Sequence, residues 1–230
     1  MRVHVAFTPA DDVGAPVGIV VDVLRATSTI CQALAAGYRR VLCCGEVDEA
    51  REIAAREGNV VLAGERQTVL IPGFDFGNSP REFLEPAAET LVLTTTNGTR
   101  LLVAAAARCE LVLVGSLLNL GAVVEAARGH GEKVAILCAG VCGELALDDA
   151  YCAGRIAETL GGDPADSAVA AIRLAHTFAG AEEGLSASQS ARNLRASGLD
   201  GDIAWCARES VVDAVPRFSR MLGSAAEVTL

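Results

Sequence analysis

Short apolar runs recur along the first two thirds of the chain. They alternate with stretches in which apolar residues return every three or four positions. The runs "RVHVAF", "VGIVVDV", "RRVLCC", "NVVLAG", "TLVLTT", "ELVLVG" and "KVAILCAG" read as strands. The stretches "TSTICQALAAG", "DEAREIAAREG", "GTRLLVAAA" and "LGAVVEAARGHG" read as helices, each with an apolar stripe and several ending near Gly. Near-continuous apolar strands alternating with helices predict an α/β fold. Its layers are α/β/α, with a mostly parallel or mixed sheet covered on both faces. Residues 146–210 read as helical, giving a helical C-terminal third, and an edge strand is expected near Val228.

The pattern also suggests an internal pseudo-repeat within one domain spanning 1–230. Its halves are 19–65 and 91–144. Each reads strand, polar turn, Ala-rich helix, strand ending in Gly (Gly45, Gly115), helix, strand. Positions 64–90 break the alternation. The segment "GERQTVLIPGFDFGNSPREFLEP" is a long connection in a compact domain, and such connections usually carry function. Within it "SPRE" predicts a helix start: Ser79 caps, Pro80 suits the first helical position, and Glu82 completes a capping box.

Composition narrows the class. With 230 residues and half of them apolar, the chain has enough core to fold as a globular protein. No apolar run approaches the ~20 residues of a membrane span, and "MRVHVAF" is too short and too alternating for a signal peptide. A cytoplasmic location is the expectation. The eight cysteines sit mostly inside apolar runs, as buried reduced thiols do, and Cys138 and Cys142 are only a weak metal pair. A net charge of −10 argues against nucleic-acid or anionic-membrane partners. Eighteen Arg stand against one Lys, Lys133. An anion held by this chain would therefore meet Arg and backbone N–H groups.

Candidate chemistry follows the strands. In open α/β sheets ligands bind beyond the carboxyl ends of strands. After the strand at 19–23 come Asp22, Arg25, Thr27, Ser28 and Thr29. After 59–63 come Glu65 and Arg66. After 91–95 come Thr95, Thr96, Asn97, Gly98, Thr99 and Arg100. After 134–138 come Gly140, Gly143, Glu144, Asp148 and Asp149. If these strands are parallel, the ends share one rim. Hydroxyls, amides and Arg at helix starts form an anion pocket. Carboxylates beside it would repel an anion unless a divalent cation sits between. Oxygen donors without His point to Mg²⁺. Simple capping explains "RATST" and "TNGT" about equally well when each is taken alone, and Asp22–Arg25 pairing is a purely structural alternative. The glycine-rich dinucleotide fingerprint, the P-loop and the nucleophile elbow are all absent from the sequence.

Taken together, "VVDVLRATSTI", "GER" followed by "IPGFDFGNSP", "TTTNGTR", and "CAG" followed by "LDDAYCAG" resemble the 2-phosphosulfolactate phosphatases. The tail "GLDGDIAWCARES" and "VVDAVPRF" resembles theirs too, so the likeness spans nearly the whole chain. It implies a single-domain α/β phosphoric monoester hydrolase. The implied reaction is Mg²⁺-dependent conversion of 2-phosphosulfolactate, or a similar small anionic ester, to sulfolactate and phosphate on the route to coenzyme M. It also implies a homodimer. On this reading Asp22 and Glu65 hold Mg²⁺, with Asp148 or Asp149 contributing directly or through water. Arg25, Thr27, Ser28, Asn97, Gly98 and Thr99 position the phosphate. Arg66 or Arg100 meets the sulfonate or carboxylate, and Asn78 and Ser79 close the pocket. Whether Asp22 binds metal or attacks phosphorus is open at this level. The rival class is a non-catalytic sensor or binding module for a small organic anion.

Overall fold

The structure, a computed structural model, describes residues 1–95 and 98–230, and of residues 98 and 99 the backbone alone. Thr96 and Asn97, including the expected phosphate contact at Asn97, lie outside the described residues. Among the described residues the strands are β1 (Arg2–Ala6), β2 (Val17–Val21), β3 (Arg40–Cys44), β4 (Val60–Arg66), β5 (Val69–Leu70), β6 (Thr90–Thr94), β7 (Leu111–Gly115), β8 (Lys133–Cys138), β9 (Asp163–Pro164), β10 (Arg217–Leu222) and β11 (Ala225–Thr229). The helices are α1 (Ala26–Ala36), α2 (Val47–Arg56), α3 (Gly98–Ala106), α4 (Leu120–Arg128), α5 (Leu147–Leu160), α6 (Asp166–Ala175), α7 (Ala181–Ser186), α8 (Gln189–Ala196) and α9 (Gly201–Cys206). A 3-10 turn covers Pro80–Glu82. There Ser79 and Glu82 form the capping box that "SPRE" predicts.

The strands join in one mixed sheet of order β5-β4-β6-β3-β11-β10-β7-β2-β8-β1-β9. Helices cover both faces, and the side-chain period of two decides which residue meets which layer. On β2, Val17, Ile19 and Val21 face the layer of α4, α5 and α6, while Val20 faces that of α1 and α3. On β3, Leu42 and Cys44 pack with Ala50 of α2. The densest helix pair is α5 with α6. Gly154 makes it possible, because a Cβ there would sit 2.2 Å from the Ala171 carbonyl oxygen.

Two βαβαβ stretches are interleaved. In the order β2-α1-β3-α2-β4 and β6-α3-β7-α4-β8, the first strand of each lies between the second and third strands of the other. Thus β6 pairs with β3 and β4, and β2 pairs with β7 and β8.

The expected edge strand at Val228 is instead central. The hairpin β10–β11 sits between β3 and β7, antiparallel to both. Its short "AAEVT" run is buried along four of five positions because it bridges the two parallel sets. Glu227 within it is tied to Arg40 Nη1 (3.1 Å) and Arg220 Nε (2.8 Å). These two arginines hold its carboxyl below the ordinary value of 4.5 despite its burial. A carboxylate whose folded-state pKa is lowered stabilises the fold above its unfolded pKa, and that contribution fades as pH falls through the folded value. Glu227→Gln is therefore expected to cost about 1–3 kcal/mol at neutral pH. The gap to the parent should shrink below the ordinary carboxyl pKa, as urea midpoints at pH 7 and pH 3 would show.

The hairpin also reverses chain direction. Three antiparallel steps separate β3 from β7, so β3, β4 and β6 run opposite to β7, β2, β8 and β1. A flat sheet would put the carboxyl ends of the two sets on opposite edges. Twist of roughly 20–25° per strand, accumulated over the five steps from β6 to β2, cancels much of that reversal. The ends of β2, β4, β6 and β8 consequently meet around one cavity.

Candidate active site

The cavity has a volume of about 180 Å³. Its wall draws Asp22 and Arg25 from the end of β2, Glu65 from β4, and Thr95 from β6. Val141 and Cys142 come from the loop after β8, Asn78 from the long connection, and Ser190 and Asn193 from α8. The shared rim is expected from the sequence on the condition that the strands are parallel; here Asp22, Arg25, Glu65 and Thr95 share one wall although β4 and β6 run opposite to β2 and β8.

The turn after β2 is knitted by its own hydroxyls. Asp22 N–H donates to Thr27 Oγ1 (3.1 Å), and Ala26 N–H donates to Asp22 Oδ1 (3.3 Å). Ser28 Oγ donates to the Val23 carbonyl (2.8 Å) and Thr29 Oγ1 to the Asn78 carbonyl (3.0 Å). Thr27 and Ser28, proposed from sequence as phosphate contacts, are fully buried behind the wall and shape the turn. Arg25 occupies the N-cap of α1 without capping by its side chain. Its Nη1 instead reaches Asp202 Oδ2 at 2.7 Å, in an ion pair that is almost completely buried. Sequence reasoning offered Asp22 as the structural partner; Asp202 holds that place from 177 residues away.

Glu65 and Arg66 separate for a simple reason: adjacent residues on a strand face opposite sides. Glu65 lines the cavity, and its Oε2 accepts from Thr68 N–H (2.7 Å). Arg66 points away and ties strand ends together, donating to Gly45 O (3.0 Å) and Thr94 Oγ1 (3.1 Å). Arg100 makes an exposed pair with Glu46 at 3.1 Å. Neither arginine lines the cavity, where, among the described residues, Arg25 supplies the cationic side chain. The β4–β5 hairpin turns through Gln67 and Thr68, both at positive φ (54° and 66°). These residues are in the geometry of a tight two-residue turn that glycine usually fills, and both line the cavity.

Asn78 and Ser79 also divide. Asn78 is in the wall, 3% exposed, with its Oδ1 buried and without a hydrogen-bond partner. Ser79 lies behind it, donating to Asp202 Oδ1 at 2.6 Å and accepting from Arg81 N–H.

The four carboxylates expected as metal ligands do not form one cluster. Among the described residues, no group of three or more His, Cys, Asp or Glu is arranged to hold an ion. Asp22 and Glu65 share the cavity. Asp149 is clamped, its Oδ1 accepting from Val23 N–H (2.9 Å) and its Oδ2 from Gly140 N–H (3.0 Å). Asp148 accepts from Ser190 Oγ (3.2 Å) and faces a second cavity of about 170 Å³ beyond that serine. Burial, with the Asp22 charge nearby, lifts the Asp148 carboxyl to about 7. Burial and the charges of Asp148 and Asp22 raise Asp149 as well. Two carboxylates with an amide oxygen still suit Mg²⁺, which commonly takes one or two carboxylates and completes its shell with water and substrate phosphate. The unpartnered Asn78 Oδ1 is the further oxygen such a site can use.

A family model described as 2-phosphosulpholactate phosphatase matches residues 4–220. The chain is 40% identical over 233 residues to a Thermus thermophilus protein named "Probable 2-phosphosulfolactate phosphatase", with 98% of each chain covered. It is 36% identical over 216 residues to a Methanothermobacter thermautotrophicus protein named "2-phosphosulfolactate phosphatase", covering 94% of this chain and 92% of that one. A Symbiobacterium thermophilum relative, "Probable 2-phosphosulfolactate phosphatase", is 36% identical over 221 residues, with 92% and 94% covered. No helix among the described residues is long and apolar enough to cross a membrane.

Proposed function

The chain belongs to the 2-phosphosulpholactate phosphatase family, and on that premise we propose that its rim cavity hydrolyses 2-phosphosulfolactate, or a similarly small anionic phosphate ester, with the help of Mg²⁺. It is a phosphoric monoester hydrolase of that type. The observation that carries the reading is the pairing, in one cavity, of the Arg25 guanidinium with the Asp22 and Glu65 carboxylates. A pure anion binder gains nothing from two carboxylates beside its ligand, which weighs against the sensor reading.

In this mechanism Asp22, Glu65 and Asn78 Oδ1 are the groups that would hold Mg²⁺. When bound, the ion supplies Lewis-acid neutralisation of phosphate charge and a water of lowered pKa. Arg25 binds and orients the phosphoryl oxygens, its planar fork matching their geometry. Thr95 and Asn78 lie in the wall beside it, and the hydroxyls of Thr27, Ser28 and Thr29 keep the Arg25 turn rigid from behind. The neutral donors Gln67, Thr68, Ser190 and Asn193 face the rest of the ester. They contact its sulfonate and carboxylate by hydrogen bonding, without a counter-charge. The cavity, about 180 Å³, suits a small phosphoester.

The deciding assay is phosphate release from 2-phosphosulfolactate and from simple phosphomonoesters, with Mg²⁺ and with EDTA. Release is expected with Mg²⁺ and is expected to fall to background in EDTA, recovering when Mg²⁺ is restored. Equal rates in both conditions would remove the metal from the mechanism. No release from any ester would remove the reading.

A further inference from the structure

Asp202 belongs to α9, near the end of the chain, and its sequence context marks it only as an acid in a helix's first turn. Yet it is completely buried, and its two oxygens do different jobs. Oδ2 accepts from Arg25 Nη1 at 2.7 Å, and Oδ1 accepts from Ser79 Oγ at 2.6 Å. Arg81 Nη1 stands 3.9 Å from the same Oδ1. Gly201 leaves room for that arginine, since a Cβ there would sit 2.4 Å from Arg81 Nη1. One carboxylate thus fastens the helix to the turn that carries Arg25 and to the residue following Asn78. Both Arg25 and Asn78 are in the cavity wall; Asp202 and Ser79 are not.

A buried ion pair is weak evidence of a stability role, because desolvation of both charges offsets most of their attraction. It does fix geometry. An arginine has long rotamer freedom, and a fully desolvated partner on one edge of the guanidinium limits where its remaining N–H groups point. We infer that Asp202 is a positioning residue for catalysis: it aims Arg25 into the cavity and, through Ser79, holds the Asn78 segment against it. The inference rests on the phosphatase reading of that cavity.

The test is a double-mutant cycle of Asp202→Asn and Arg25→Gln, read as kcat, KM and affinity for inorganic phosphate by calorimetry. A misplacement of about 1 Å in a positioned group costs on the order of a hundredfold. Asp202→Asn is accordingly expected to lower kcat by roughly 30- to 100-fold, with KM moving far less. In the Arg25→Gln background the same substitution should change kcat less than about threefold, because coupled residues are not additive. A purely structural Asp202 would show the same loss in both backgrounds, and that result overturns the inference. So does an Asp202→Asn protein with parental kcat. If Asp202→Asn does not fold, Asp202→Glu keeps the charge and displaces it by one methylene. It is judged by the same coupling criterion, and parental kcat there also overturns the inference. If the parent releases no phosphate from any ester, the phosphatase reading fails separately. The cycle is then read on phosphate affinity, where coupling supports the link from Asp202 to Arg25 and additivity overturns it.

Discussion

Asp22→Asn should lose at least about a hundred- to a thousandfold in kcat while melting within a few degrees of the parent. The two halves of that expectation come from different atoms of one residue. The main chain of Asp22 organises the turn: its N–H donates to Thr27 Oγ1 and its carbonyl accepts from Thr27 N–H at 2.9 Å. Oδ1 adds one bond from Ala26 N–H, which an asparagine Oδ1 can still accept. Substitution is isosteric, so the turn survives. What disappears is the negative charge facing the cavity alongside Glu65. If that charge holds Mg²⁺, the variant needs more of it, and raising Mg²⁺ well above the parental requirement restores part of the rate. If Asp22 attacks phosphorus, added Mg²⁺ restores nothing, and the parent yields a trappable phospho-aspartate. The ligand outcome is the expected one, since Glu65 and Asn78 stand in the same wall to complete a site. Full activity in Asp22→Asn would remove its place in the chemistry altogether.

How far the sequence carried the reading depends on which interactions were local. Alternation of apolar runs and amphipathic stretches marked the strands and helices because period two and period 3.6 are properties of neighbouring residues. The Ser79 capping box was legible for the same reason, its partners lying within a single turn. The central hairpin was not. The glutamate in the buried middle of "AAEVT" is explained by Arg220 of the same hairpin together with Arg40, far away in sequence and next door in the sheet. That hairpin in turn decides strand direction, so the polar clusters hint at the convergence of β2 with β4 and β6 without dictating it. Within the clusters, side-chain direction was the missing quantity. Arg66 follows Glu65 on a strand and therefore faces away. Thr27 and Ser28 point back into the turn that a sequence reader sees only as hydroxyls. Asp202 was missed because an acid near a helix start already has an ordinary explanation, and its distance in sequence from Arg25 hid the other one.

Among the four carboxylates expected as metal ligands, Asp149→Ala should be the most destabilising substitution, with its effect on stability rather than on chemistry. Its sequence position, after a strand end and beside Asp148, groups Asp149 with the metal ligands. Its geometry is that of a clamp. Val23 N–H on the turn after β2 and Gly140 N–H on the loop after β8 both donate to it, in a fully buried setting. The Gly140 loop has little freedom to find another acceptor. Gly140 sits at φ +64°, and a Cβ would meet the Glu144 carbonyl oxygen at 2.3 Å, so the turn is already as tight as a glycine permits. Removing the carboxylate leaves two buried N–H groups without acceptors, at about 1–3 kcal/mol each, for a total of roughly 2–6 kcal/mol. For a chain of this size that is a fall on the order of 10 °C in melting temperature. The clamp joins the two turns that supply Arg25 and Val141 to the cavity, so some loss of rate will accompany the loss of stability. It should be modest in the folded fraction, and the Mg²⁺ concentration for half-maximal activity should stay near the parent's. Thermal melts and a Mg²⁺ titration on the same protein separate the roles. A parental melting temperature with a large rise in Mg²⁺ requirement would return Asp149 to the metal site and take away the clamp.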